Sequence, residues 1–148
     1  MTKKISRFRG QYSFLSNFSL SPIKIDGVVY STVEHYYQAM KTQDKAERER
    51  IISATTPKQA KSYGRQCTLR PDWNSIRLEV MEQALRVKFQ DPELRKKLLA
   101  TENKILEEGN TWGDTFWGVN IKTGKGKNHL GKLLMKIRDD LRKKRKKV

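Results

Sequence analysis

The chain has 148 residues, with 32 Lys and Arg against 16 Asp and Glu, for a formal net charge of +16. Its single cysteine excludes an internal disulfide, and one cysteine with two histidines excludes a zinc site of Cys/His type. No apolar run is long enough to cross a bilayer, and the opening "MTKKISRFRGQYSF" lacks the apolar core of a secretory signal. A cytoplasmic location without membrane association is therefore expected. The length suits one domain with its own core. So large a positive excess points to polyanionic partners, nucleic acid or phosphate-bearing ligands. The closing run "RKKRKK" (142–147) supplies six of the cations and reads as a disordered electrostatic tail; the body before it is basic as well.

Taken in order, "PIKIDGVVY" (22–30) reads as a short hairpin. Ile23, Ile25, Val28 and Tyr30 flank Asp26-Gly27, a favoured type I′ turn pair. A helix is predicted from Ser31, with Ser31 as N-cap and Glu34 completing a capping box. On it Val33, Tyr36, Tyr37 and Met40 form an apolar stripe beside the polar stripe Glu34, Gln38 and Lys41. Further helices are predicted over 44–54 and 56–66, the latter with Pro57 in its first turn. A longer helix over 74–89 has Asn74 as N-cap and Leu78, Met81, Leu85 and Phe89 at helical spacing. Residues 91–101 repeat the Asp-Pro start. The segment 105–119 carries glycines and aromatics without helical period and is expected to form loops with short strands. A last helix runs from about Asn128, with Leu130, Leu134, Ile137 and Leu141 on one face. The fold class expected is mainly α with a small β component (α+β), in a single compact domain over 1–141.

Several chemistries are missing. No GxGxxG, Walker A or GxSxG pattern is present. Carboxylate chemistry remains, framed by aromatic and basic groups. Glu34 is the first candidate; its place at a helix start suits a carboxylate that acts as an anion, although from spacing alone helix capping is the better explanation. Asp114 is the second, bracketed by Trp112, Phe116 and Trp117 in "NTWGDTFWGVN". Turn formation within an aromatic core explains it as readily. Arg9, Ser16 and Asn17 stand in the irregular "FRGQYSFLSNF", Trp73 in "RPDWN", and Asn128 in the glycine-rich, basic "GKGKNHLG", which opens a helix and suits a phosphate.

These segments together resemble the NADAR family of YbiA-like N-glycosidases. The pieces that carry the resemblance are "FLSNF" (14–18), "VEHYYQAMK" (33–41), "RPDWN" (70–74), "MEQALRVKF" (81–89), the "WGD…FWG" loop (112–118) and "GKNHLGKLLMKIR" (126–138). They follow the family's order over about residues 7–141; the basic tail is not part of it. The resemblance implies a compact, mostly helical fold and hydrolysis of an N-glycosidic bond to ribose. It implies catalytic roles for Glu34 and Asp114, and substrate contacts from Asn17, Gln38, Trp73 and Asn128.

Rupture of such a bond builds positive charge on C1′, which a held anion stabilises, while a proton donor helps the leaving nitrogen. Glu34 takes the anionic role. Asp114 is expected to donate a proton or bind ribose hydroxyls. Trp73 or Trp117 is expected to stack the base, and Arg9, Lys41 and the loop with Asn128 to meet phosphate. No metal or other cofactor is expected. Of the family's two substrate classes, the charge favours ADP-ribose attached to guanine in DNA. The ribosylamino-pyrimidine phosphates of riboflavin biosynthesis are the alternative, and a non-catalytic nucleic-acid-binding protein the reading from another class.

Overall fold

The structure is a computed structural model that describes residues 3–146. In chain order its elements are β1 (Lys4–Ile5), a 3₁₀ helix (Gly10–Leu15), β2 (Ile23–Ile25), β3 (Val28–Tyr30), α1 (Val33–Ala39) and α2 (Lys45–Ile52). Next come α3 (Pro57–Gln66), α4 (Trp73–Lys88), α5 (Pro92–Leu99), β4 (Ile105–Leu106), β5 (Gly109–Asn110), β6 (Val119–Asn120) and α6 (His129–Lys146). Mainly α with a small β component is thus the class observed. The elements pack as two compact units, residues 17–88 and residues 1–16 with 89–148.

In the unit 17–88, β2 and β3 form the expected hairpin, with Ile23 opposite Tyr30 and Ile25 opposite Val28. Asp26 and Gly27 both take positive φ (52° and 81°), as a type I′ turn requires. The unit is organised around α1, which packs against α2, α3, α4 and β3. Every one of its seven residues is buried, the polar stripe included. The cap differs from the expected one. Thr32, not Ser31, is the N-cap, and its Oγ1 accepts the His35 N–H at 3.1 Å. Glu34 therefore stands at the second helical position, and its backbone N–H donates to the Asn17 carbonyl (3.1 Å).

The other helix starts follow ordinary capping chemistry. Asp44, Thr56 and Asp91 accept from Glu47, Gln59 and Leu94 N–H, with proline in the first turn of α3 and α5. The start of α4 lies one residue before the expected Asn74. The Asp72 carbonyl accepts from Ser75 and Ile76, and the Asp72 carboxylate is held by Arg70. Met81, Ala84 and Leu85 face inward, whereas Leu78, expected on that face, is 39% exposed.

In the unit 1–16 with 89–148, β1 pairs in parallel with β4, and β5 in parallel with β6. α6 packs on β4 and α5 through the predicted face, of which Leu130, Leu134 and Ile137 are fully buried. Arg138, one turn from Leu134, is buried too, and its guanidinium donates to Thr101 Oγ1 and the Lys104 carbonyl. The basic segment expected as a loose tail continues α6 to Lys146; residues 147 and 148 lie outside the described residues.

His35 ties α1 to the end of α2. Its Nε2 is 2.9 Å from the Ala54 carbonyl, which can only accept, so Nε2 carries the proton. Nδ1 is then the acceptor for the Thr32 hydroxyl at 2.8 Å. His35→Leu fills the space, takes the ring donor from the Ala54 carbonyl and takes the acceptor from the Thr32 hydroxyl. It is expected to cost about 2 kcal/mol in chemical denaturation.

Candidate active site

The residues expected to form the site are distributed over the two units. Asn17, Glu34, Gln38, Lys41 and Trp73 belong to residues 17–88; Arg9, Ser16, Asp114, Trp117 and Asn128 belong to the other unit.

The first group is centred on Glu34. Its side chain does not close a capping box; Gln38, one turn later, donates from Nε2 to Glu34 Oε2 at 2.5 Å. Both residues are buried, Glu34 at 7% exposure and Gln38 at 2%. The bond to the carboxyl fixes which end of the amide is which. It turns Gln38 Oε1 away, and that oxygen has no hydrogen-bond partner. Asn17 Oδ1 is in the same condition, while its Nδ2 reaches only the sulfur of Met81 at 3.5 Å. Two buried acceptors without donors beside a buried acid are what a ligand's hydroxyl or N–H groups would satisfy.

Lys41 closes this group at the end of α1. Its ammonium lies 5.6 Å from the centre of the Tyr37 ring. Burial lowers its pKa most; Glu34 and Cys67 pull it back up, and Lys61 and Arg65 lower it further. Trp73 is buried against the ring of Tyr37, with ring centres 5.0 Å apart and planes tilted by 59°. Its indole thus serves the core around α1 and is not an open stacking platform.

Lys88 is not among the residues that the sequence marks for the site. It ends α4, is 2% exposed, and donates from Nζ to Ser19 Oγ at 3.1 Å. Burial pushes its pKa from the usual lysine value down to about 7. A signal was present in the sequence: Lys88 follows Met81 by two turns and Ala84 by one, and so occupies a core position of an amphipathic helix.

In the second group, Asp114 shapes its own loop. Oδ1 accepts from the N–H groups of Phe116 and Trp117, and the Asp114 backbone is clamped at both N–H and carbonyl by the Asn110 amide. Trp117 is half-buried, edge-on to Phe116 and near the His129 ring. The most exposed indole of the loop is Trp112, at 56%. Asn128, at φ 51°, spends its amide on structure: Oδ1 accepts from Glu108 N–H and Nδ2 donates to the Leu106 carbonyl. Ser16 is half-buried, and Arg9 is exposed with its carbonyl accepting from Tyr12.

A model of the NADAR domain matches residues 6–142. The chain belongs to the NADAR family. It is 46% identical to N-glycosidase YbiA of Escherichia coli over 133 residues, 88% of this chain and 82% of that protein. A riboflavin biosynthesis protein of Vibrio vulnificus is 39% identical over 88% of this chain, which spans 36% of that longer protein. The solved solution structure of E. coli YbiA superposes with a TM-score of 0.86 at 42% identity, covering 98% of this chain and 89% of that one. Family membership and these relatives support an N-glycosidase role, that of a hydrolase acting on N-glycosyl compounds. Among the described residues no group of His, Cys, Asp and Glu is placed to hold a metal ion.

Two variants test this geometry. A Cβ at Gly64 would overlap Gln38 Oε1 and crowd its Cδ. Glycine to alanine inside a helix ordinarily stabilises by about 1 kcal/mol. Gly64→Ala is expected instead to lower Tm, and adding Gln38→Ala to restore it, as read by thermal melting of the single and double variants. For Lys88 the folded pKa lies below the unfolded one, so its ammonium opposes folding fully below pH 7 and ceases to do so as pH rises toward 10.5. Lys88→Met is therefore expected to be more stable than the parent at pH 6.5, by ~1.4 kcal/mol per unit of displacement. Urea titrations at pH 6.5 and 9.5 should show the gap narrowing at the higher pH.

Proposed function

We propose that the chain hydrolyses the bond between C1′ of a phosphorylated ribose and an amino nitrogen, and that ribosylamino-pyrimidine phosphates of the riboflavin pathway are its substrates. The observation that carries this reading is the buried Glu34 carboxyl, anchored by Gln38, together with the unpartnered side-chain oxygens of Gln38 and of Asn17, whose carbonyl holds the Glu34 N–H. Breaking a ribosyl C–N bond develops positive charge on C1′ and the ring oxygen, and a desolvated acid opposes that charge far more strongly than a solvated one. The two unpartnered oxygens would receive ribose hydroxyls. Lys41, whose charge Glu34 favours, would meet the phosphate.

The preference for the small substrate rests on two supports. Two relatives of this chain are named for riboflavin biosynthesis, and the candidate groups are buried ones. Removal of ADP-ribose from guanine in DNA is the second reading, favoured by the +16 net charge, which would draw a nucleic acid to the surface. Both substrates present a ribose joined to a nitrogen, so the same acid serves either.

The deciding assay incubates the protein with each substrate and resolves products by mass spectrometry. Ribose 5-phosphate released from the ribosylamino pyrimidine supports the first reading. ADP-ribose released only from DNA supports the second, and no product from either rejects both. Glu34→Gln keeps the shape and removes the charge; it is expected to lower kcat by about 10³-fold. Asp114→Asn keeps an Oδ1 for the Phe116 and Trp117 N–H groups, so any loss it causes reports on chemistry and not on the loop.

A further inference from the structure

Lys88 has no part in the scheme above, yet few placements of a lysine are as demanding. Lysines are almost never fully buried unless paired, because the stem gains little and the ammonium loses its water. Here the amine sits at the end of α4 with 2% exposure, donating to Ser19 Oγ. The position of Ser19 matters. Two residues earlier, the Asn17 carbonyl holds the Glu34 backbone N–H at 3.1 Å, and the Asn17 amide touches Met81 on the same face of α4 as Lys88. One three-residue strip, 17–19, therefore carries the start of α1 with its acid at one end and the lysine amine at the other. Such a strip spans at most about 7 Å between its end Cα atoms. A phosphorylated ribosylamine is longer than that.

We propose that Lys88 is the nucleophile of the hydrolysis, taking the ribosyl group onto Nζ before water removes it. This rests on the N-glycosidase reading and deepens it. The lone pair of Nζ attacks C1′, which is at the oxidation level of an aldehyde. The bond from C1′ to the departing amino nitrogen breaks. The proton that Nζ loses is matched by the one the departing nitrogen gains, so the free amine leaves and the protein holds a ribosyl-lysine. Ring opening makes this adduct an imine without change of composition. Water then adds to C1′, Nζ departs with a proton, and the sugar phosphate and Lys88 are regenerated. No oxidant, metal or further reactant enters. Desolvation supplies what the step needs, a neutral amine at neutral pH.

An imine is reducible, so the intermediate can be caught. The full chain is incubated with the ribosylamino-pyrimidine phosphate, or with ADP-ribosylated DNA if that is the substrate hydrolysed, in the presence and absence of cyanoborohydride. The expected result is progressive inactivation with reductant and a covalent sugar adduct on the peptide carrying Lys88. It should exceed by about tenfold the adduct formed with the free sugar phosphate at equal concentration. Lys88→Arg and Lys88→Met, checked for folding by circular dichroism and thermal melting, should lose the adduct and at least ~100-fold in kcat. Continued turnover without an adduct overturns the proposal. So does an adduct confined to other lysines, or a folded Lys88→Met variant within tenfold of the parent. If the unmodified protein hydrolyses neither substrate, the N-glycosidase reading itself falls, and that is seen in the arm without reductant.

Discussion

The constraint on which the unit 17–88 depends is the complete burial of α1. A helix of seven residues packed by three other helices and a strand has no face left for water. Five of its residues are polar or carry a phenol, and each must find its partner inside. His35 does so through Thr32 and Ala54. Tyr36 reaches Gln83 on α4, and Glu34 receives Gln38. Helix packing and the candidate site are therefore the same set of contacts. Gly64 shows how closely they are fitted: α3 can approach α1 only because nothing projects from that position toward Gln38.

Two oxygens escape this internal satisfaction, and both lie on residues that touch Glu34, Gln38 through its side chain and Asn17 through its backbone. A fold optimised for stability alone would replace them with apolar groups of like shape, because an unsatisfied buried acceptor costs more than a lost hydrogen bond contributes. Lys88 is hydrogen-bonded, but the burial of its amine opposes folding as well. Stability has been given up at several neighbouring positions in one unit, the pattern expected where a ligand completes the hydrogen bonding.

Much of the fold was legible because it rests on local chemistry. The hairpin follows from Asp26-Gly27, three helix starts from Asp44, Thr56 and Asp91, and the inner face of α6 from its leucine spacing. What failed was information held in tertiary contacts. Leu78 has the right period but is 39% exposed, and Trp73, which its loop setting suits to stacking, is buried against Tyr37. The burial of the polar stripe of α1 lies beyond the pattern, because pattern alone cannot count how many neighbours a helix has. The global charge was the loudest signal and the least informative about chemistry. Exposed lysines are screened within about 10 Å at ordinary ionic strength, whereas Lys41 and Lys88 act where water is scarce.

The one-residue shift of the α1 cap shows how local and tertiary terms combine. With Ser31 as the cap, Glu34 would stand at the third helical position and its carboxyl would turn back to the backbone. With Thr32 as the cap, that position belongs to His35, which makes the reciprocal exchange: its backbone N–H goes to Thr32 Oγ1 and its ring takes the Thr32 hydroxyl. His35 can do this and still bond the Ala54 carbonyl, because imidazole has a second nitrogen where glutamate has none to offer as a donor. The histidine thereby satisfies the helix start and fastens α2 at once. It also releases Glu34 from capping and turns it about 100° around the helix axis from where the box would have placed it. A side chain that local rules would spend on the helix end is instead held by Gln38 in the interior, in the ring of contacts that contains the unpartnered oxygens.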